Sequence, residues 1–501
     1  MATMNNGRSK RAAMPSITPL QAILLGVLVI VLPALVVLSP SRLPLASCNS
    51  ANVGRTSAGR GGRPWSGDLR RAEFSWNRLH FTEKTPPPQT LKIAVFSRKW
   101  PVNSAPGGME RHALTLHTAL ASRGHQVHVF TSGVAGVDGK SAAGGGDGSP
   151  RVHFLGGTPG QWRSNEAWSM YKAEDDREAF DVVHSESVAL PHNLARDVPN
   201  LAVSWHGIAL EALQSNIYQA LAQGPDEPIS PALNQSLFGQ PLKVVGEIKF
   251  FKSYTHHIAI SDSSGEMLRD VYQIPPGRVH VILNGVDDEE FGVDEALGRA
   301  FREEIGVPRN ATLVMGVAGR LVRDKGHPLL HEALPKFLSR HPGVYLVVAG
   351  SGPWAARYAE LGPQVLALGS MPPSRLRAFY NAVDVFVNPT LRPQGLDLTL
   401  MEAMQSGTPV LATRFPSIKG TVVVEEEFGI MFAPNAESLE DALESAVGEG
   451  PRRMAERGRA CREYAAAMFT ARKMAAAYER LFLCIKNETY CAYPLPFDSQ
   501  A

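Results

Sequence analysis

The sequence predicts an α/β protein of two doubly wound parallel sheets, preceded by an N-terminal transmembrane helix. Three observations carry that prediction. From Leu91 onward, short apolar runs alternate with stretches of helical spacing, the pattern that builds parallel sheets. The series then restarts at Ala311 as a second set. The restart strand, Ala311 to Ala318, leads through Gly319-Arg320-Leu321-Val322-Arg323-Asp324-Lys325-Gly326 into a helical stretch, His327 to Leu338. The loop of this strand–loop–helix unit lies at the carboxyl end of a strand, where open α/β sheets bind ligands. Its Arg320 and Lys325 suit a diphosphate, since arginine grips bidentately and lysine acts as a point charge. Standing alone, the same loop would read as a solvated charged turn.

In chain order, residues 1–16 form a tail carrying Arg8, Lys10 and Arg11. Residues 17–38 follow as the expected transmembrane signal anchor. Ala22 to Leu38 is uncharged and interrupted only by Pro33, and as a helix it spans about 26 Å. The basic leader favours a cytosolic tail and a single-pass type II protein, with its globular part in the lumen of the Golgi or endoplasmic reticulum. A signal peptide cleaved near Ala46-Ser47-Cys48 and an organellar transit peptide are the rival readings. Residues 39–90, bearing Gly, Arg, Ser and Pro and ending in Pro86-Pro87-Pro88, read as a stem. The Gly-rich stretch Gly133 to Pro150 reads as a surface loop.

Residues 91–300 make the first domain, with strands at Leu91 to Ser97, Gln126 to Thr131, Asp181 to His184, Leu201 to Trp205, Ile258 to Ser261 and Val279 to Leu283. After its first strand, Met109, Ala113, Leu116 and Leu120 fall near one helix face. Residues 301–468 make the second, with strands at Ala311 to Ala318, Val344 to Ala349, Val365 to Leu368, Val383 to Val387 and Pro409 to Ala412. Residues 469–490 close the chain as a helix carrying Met474, Tyr478 and Leu481. Two such domains leave a cleft to which each offers its strand-end loops.

Composition narrows the function classes. Hydrophobic content of 44%, charge of 20% and a net charge of +2 describe an ordinary globular protein. No basic stripe with interleaved aromatics points to nucleic acid. The cysteines Cys48, Cys461, Cys484 and Cys491 lack zinc-site spacing; Cys484 and Cys491 are either a bridge or two thiols. His327 and His331 stand four apart on a helix expected to leave them partly solvated, so no metal site is expected there.

Several segments, in order, resemble the retaining glycosyltransferase family 4, whose members have the GT-B fold. They are Pro106-Gly107-Gly108-Met109-Glu110-Arg111-His112, Trp205-His206-Gly207, Asn284-Gly285-Val286-Asp287, Gly319-Arg320 with Lys325-Gly326, Gly350-Ser351-Gly352-Pro353, and Gln394 to Ala403. Each is weak alone; their order makes the signal. The resemblance implies a nucleotide-sugar donor as co-substrate, an unidentified acceptor and no other cofactor. It gives Arg320 and Lys325 the donor diphosphate, His206 the donor sugar near the reacting centre, and Glu402 the ribose hydroxyls. Gly107 and Gly108, opening a helix, offer backbone N–H groups to an anionic ligand. No two aspartates are separated by one residue, so the metal-binding Asp-x-Asp signature of the other major transferase fold is absent.

One motif departs from the family. Where it carries Glu-Gly-Phe-Gly-Leu, this chain has Gln394-Gly395-Leu396-Asp397-Leu398. Glutamine still hydrogen-bonds a sugar but supplies no negative charge, and a carboxylate at Asp397 reshapes the sugar pocket. The expectation is an active, metal-independent hexosyl- or pentosyltransferase. A catalytically silent scaffold or carbohydrate-binding subunit and a nucleotide-sugar epimerase are the alternatives.

Overall fold

Apolar runs become strands buried on both faces. The computed structural model describes residues 65–83, 86–102, 106–134, 148–223 and 227–498; the expected anchor at 17–38 lies outside them. Lys92–Phe96 (β1) is buried at every position, as a central parallel strand covered on both sides must be. Ile93 and Val95 face one apolar cluster and Ala94 and Phe96 another, following the two-residue alternation of a strand.

The other strands of this sheet are Gln126–Thr131 (β2), Arg151–Phe154 (β3), Val182–Glu186 (β4), Leu201–Trp205 (β5), His256–Ala259 (β6) and Val279–Val281 (β7). They lie in the order β3-β2-β1-β4-β5-β6-β7, all parallel. Helix Gly108–Ser122 (α1) follows β1 and buries His112, Ala113, Leu116, His117 and Leu120. Beyond β5 come Ala209–Leu221 (α2) and Pro231–Phe250 (α3).

The second sheet holds Leu313–Ala318 (β8), Val344–Ala349 (β9), Val365–Gly369 (β10), Val385–Asn388 (β11), Val410–Thr413 (β12) and Gly429–Phe432 (β13). Its order is β10-β9-β8-β11-β12-β13, again parallel. Helices His327–Arg340 (α4) and Leu398–Gln405 (α5) follow β8 and β11. In each sheet the winding reverses beside one central strand, β1 in the first and β8 in the second. Ligands bind outside the carboxyl ends of strands at such a reversal. The edge strands β3 and β13 had no counterpart in the sequence reading; both are four residues long, and short edges give weak patterns.

A long helix, Ala436–Met468 (α6), bends at Gly450-Pro451, and Ala471–Lys486 (α7) returns to the first domain. There Met474, Tyr478, Leu481 and Phe482 pack with Leu91, Ile93 and Leu116. Cys484 and Cys491 form a disulfide, and Cys461 is a buried thiol.

The stem assigned to residues 39–90 needs correction over its described part. Leu69, Trp76, Leu79 and Phe81 are buried in the first domain's core, while Asn77 donates to the Met468 carbonyl at 2.9 Å and accepts from Leu283 N at 2.8 Å. The polar composition of the preceding residues masked this short apolar anchor. His327, expected to be partly solvated, is buried and bonds Tyr358 Oη at 2.7 Å and the Arg320 carbonyl at 3.2 Å. It thus steadies the loop that carries Arg320.

Candidate active site

Strand-end loops of both sheets converge on one cavity of about 720 Å³. Gly107 and Gly108 reach it from the loop after β1, His206 from β5, Arg320 and Lys325 from β8, and Arg392, Gly395, Leu396, Asp397 and Leu398 from β11. The loop after β8 can turn this tightly because Gly326 has φ +76° and lies against Pro389. A Cβ there would stand 1.7 Å from the Pro389 carbonyl oxygen. Gly350 is equally constrained by close approach, its virtual Cβ lying 1.9 Å from the Gly319 carbonyl oxygen.

The two expected phosphate ligands differ sharply in surroundings. The Arg320 side chain is 67% exposed, with Asp324 as a distant partner at 4.0 Å. Lys325 is largely buried and bonded directly to Asp397. Asn388 Nδ2 donates to the other Asp397 oxygen at 3.2 Å, and Arg392 Nε donates to Glu211 Oε1 at 3.0 Å. Burial pushes the Asp397 carboxyl up, but Lys325, Arg392 and Asn388 outweigh it, leaving the group below its ordinary value. Glu211 is raised, because burial there exceeds the pull of Arg392 and Lys325. The row Glu211, Arg392, Asp397, Lys325 therefore alternates in sign and nearly neutralises itself.

His206 has a partner that the sequence reading missed. Its Nε2 lies 2.5 Å from Glu186 Oε2, and Glu186 is completely buried at the end of β4. Burial opposes ionisation of Glu186, yet His184, His117 and His206 together hold its carboxyl well below the usual range. His117 Nε2 approaches Glu186 Oε1 at 3.1 Å; His184 Nδ1 lies 3.3 Å from His117 Nε2. His184 Nε2 meets Ser204 Oγ at 2.8 Å, which bonds Tyr478 Oη of α7 at 2.7 Å. His112 packs edge-on against His206, with ring centroids 4.6 Å apart, and burial pushes its pKa down to about 3. The available signal was a charged residue just past an apolar strand.

Two sets of side chains here, His112 with Glu186 and His206, and His117 with His184 and Glu186, bring their ligand atoms within 4.8 Å. Around tetrahedral zinc, ligand atoms stand about 3.3 Å apart. Glu186 lies closer than that to both His206 and His117, at 2.5 and 3.1 Å, so hydrogen bonds join these three, while both ring nitrogens of His112 lack a partner among the described residues.

Gln394 and Glu402 do not line the cavity. The Gln394 carbonyl accepts from Ser261 Oγ at 3.1 Å and Ser264 Oγ at 3.4 Å. Its side chain is 2% exposed, and its Oε1 lacks a partner among the described residues. Glu402 is fully buried, bonded to Arg111 and accepting from Tyr380 Oη at 2.8 Å. Arg111 belongs to α1 of the first domain, so Glu402 serves a bond between the two halves.

Two parallel sheets of this topology with a shared strand-end cavity make a GT-B-like fold. Residues 106–290 match Glycosyltransferase Family 4 and residues 312–449 match Glycosyl transferases group 1; the chain is a glycosyltransferase of this type. It is 26% identical over 364 residues to an uncharacterized glycosyltransferase of Methanocaldococcus jannaschii, spanning 70% of this chain and 87% of that one. It is 28% identical over 285 residues to a D-inositol 3-phosphate glycosyltransferase of Acidothermus cellulolyticus, 52% of this chain and 59% of that one. Its fold is similar to that of Anabaena HepE in complex with UDP-glucose, with a TM-score of 0.56 and 17% identity over 78% of this chain and 99% of that one.

These relatives correct the expected location. They come from an archaeon and a bacterium, which have neither Golgi nor endoplasmic reticulum, so placement as a type II lumenal protein of those membranes is overturned. Among the described residues no helix is long and apolar enough to cross a membrane.

Proposed function

We propose that the chain transfers a hexosyl or pentosyl group, with retention of configuration, from a nucleotide-sugar donor to a hydroxyl-bearing acceptor. The observation that carries this is the meeting of Arg320, Lys325 and His206 in one cavity between the two sheets. Cleaving a sugar–phosphate bond builds negative charge on the departing diphosphate, and preorganised cations stabilise it. Arg320 is placed to do so at once, and Lys325 does so when the diphosphate competes with Asp397. These cations support a reaction without a metal ion.

Glu186 supports His206 as the contact to the sugar. A carboxylate on Nε2 fixes that nitrogen as the donor and holds the ring in place, leaving Nδ1 for a sugar hydroxyl. A front-face path, in which the acceptor attacks from the side of the leaving group, gives retention without a covalent nucleophile. UDP-glucose is the first donor to test, because HepE is described in complex with it. The scaffold alternative draws on the engagement of Lys325 and Glu402 by protein partners.

Incubation of the full chain with UDP-, GDP- and ADP-sugars, followed by NMR of the released or transferred sugar, tests the reading. Nucleotide release and an anomeric coupling matching the donor are expected. Absence of both turnover and nucleotide binding by calorimetry would establish the scaffold; an inverted anomer would refute retention.

A further inference from the structure

Among the described residues, only His112 combines burial with two unpartnered ring nitrogens. A buried polar group without a partner costs free energy, so most such groups in proteins meet a hydrogen-bonding partner, a water or an ion. One of its nitrogens lies within 4.8 Å of ligand atoms on both Glu186 and His206. Three elements of the first domain bring this set together: α1 carries His112, β4 ends in Glu186, and β5 leads into His206. Glu186 is fully buried, whereas the His206 side chain is 11% exposed and borders the donor cavity.

We propose that His112, Glu186 and His206 form a zinc site beside the donor cavity, and that zinc bound there inhibits sugar transfer. The inhibitory role rests on the transferase reading above; the binding does not. Two imidazoles and a carboxylate are a set that zinc takes when it keeps its fourth position open. His206 borders the cavity, so the ion enters from that side and its fourth position takes water there. Zinc replaces the proton that now joins Glu186 Oε2 to His206 Nε2, and that proton moves to Nδ1 of the same ring. The two atoms part from 2.5 Å to about 3.3 Å, the separation around a tetrahedral ion, and His112 closes in to a similar distance.

The overlapping set, His117 with His184 and Glu186, is sealed instead. All three side chains are fully buried, and His184 Nε2 is engaged by Ser204 Oγ at 2.8 Å. It serves the zinc site from behind: His117 Nε2 holds Glu186 Oε1 at 3.1 Å, which orients the carboxylate and leaves Oε2 for the ion. Arg111, beside His112 in the chain, is paired with Glu402, so its charge is offset. Zinc draws the His206 ring toward His112 and places the proton on Nδ1, which removes the contact offered to the sugar. Arg320 and Lys325 are not ligands of the ion, so the diphosphate side of the cavity keeps its cations.

Calorimetry of the full, chelator-treated chain with zinc chloride tests the site. Wild type should bind one zinc ion per chain, and His112→Gln and Glu186→Gln should each weaken that binding at least tenfold. Cobalt chloride should give wild type the visible absorption of a four-coordinate ion, which reports the site even if a variant fails to fold. In transfer assays, filling the site with zinc should lower kcat at least tenfold, with recovery on chelation. UDP affinity of the zinc-loaded chain, freed of excess metal, should stay within twofold. No zinc binding, unchanged binding in both folded variants, or a six-coordinate cobalt spectrum would overturn the site. Zinc bound at these residues without loss of turnover would overturn the inhibitory role. Zinc binding that both variants weaken, in a protein that transfers no sugar, would establish the site and locate the failure in the transferase reading.

Discussion

Replacing Asp397 with Asn should tighten the binding of nucleotide diphosphates. Asp397 holds Lys325, and with Glu211 and Arg392 it makes a row of charges that nearly cancels. An entering diphosphate must either displace Asp397 from Lys325 or bind beside its negative charge. Two unit charges about 6 Å apart at an effective dielectric of about 20 interact by roughly 2.8 kcal/mol. Solvent entering the cavity and the partial neutralisation by Arg392 reduce this to about 1.4 kcal/mol, or tenfold in Kd. Asparagine keeps the size of the side chain and its contact with Asn388, so the pocket's shape is preserved. Loss of the charge-assisted bond should lower stability by about 1.5–3 kcal/mol. The sign with pH follows from the depressed carboxyl: the pair's contribution is full above about pH 4 and is lost as pH falls through the still lower folded value. The stability difference between wild type and Asp397→Asn should therefore be constant near neutrality and shrink in acid. Calorimetric titration with UDP is the assay. Unchanged or weaker binding in a folded Asp397→Asn protein would refute the argument that Asp397 and the diphosphate compete.

Four further outcomes are expected. Arg320→Ala and Lys325→Ala should each slow turnover by about two to three decades, the loss of about 3–4 kcal/mol of transition-state stabilisation, with thermal stability retained in Arg320→Ala because that side chain is exposed; near-wild-type rates would remove both from the leaving-group site. Glu186→Gln should lower kcat more than it changes UDP affinity, since it alters the charge behind His206 without touching the phosphate side; equal losses in kcat and UDP affinity would show that it acts on the fold as a whole. Acid should destabilise the protein below pH 6.5, because His112 and His184 have folded pKa values pushed down to about 3 by burial and the unfolded chain takes up protons first; each contributes up to about 1.4 kcal/mol per pH unit, and a flat stability profile between pH 6.5 and 4 would contradict that burial. Gln394→Glu should cost stability by about 1–3 kcal/mol, because it places a carboxylate at a site only 2% exposed, and should leave UDP affinity within tenfold; a stable variant with altered donor preference would show that this side chain swings into the cavity.

Local periodicity made the parallel strands and their strand-end loops legible, since both depend on residues close in sequence. It placed Arg320, Lys325, His206, Gly107 and Gly108 at strand ends, and the fold brings them to one cavity. What stayed hidden depends on partners far apart in the chain. Lys325 meets Asp397 across 72 residues, and Arg111 meets Glu402 across 291. No window of sequence reveals such pairs. Glu186 escaped for a different reason: a β-strand reading that ends at His184 stops short of the residue that leaves the apolar pattern. The buried segment around Trp76 escaped because two or three large side chains in polar surroundings give no period.

The contacts between the two halves explain how one site can be both built and engaged by its own protein. Arg111 with Glu402, Arg392 with Glu211, and the Ser261 hydroxyl with the Gln394 carbonyl each join a group of the first half to one of the second. A buried ion pair adds little net stability, because desolvation offsets most of its attraction, but removing one partner is costly. Such bonds therefore orient the two halves more than they stabilise them. They also bear on how a donor binds. If Glu402 is to accept the ribose hydroxyls, Arg111 must release it, and if Lys325 is to hold the diphosphate, Asp397 must yield. A ligand that replaces existing bonds gains only the difference between the new set and the old, so its apparent affinity falls by the fraction of molecules already released. In the proposed reaction Arg320, exposed and only loosely paired, requires no such exchange before it meets the diphosphate.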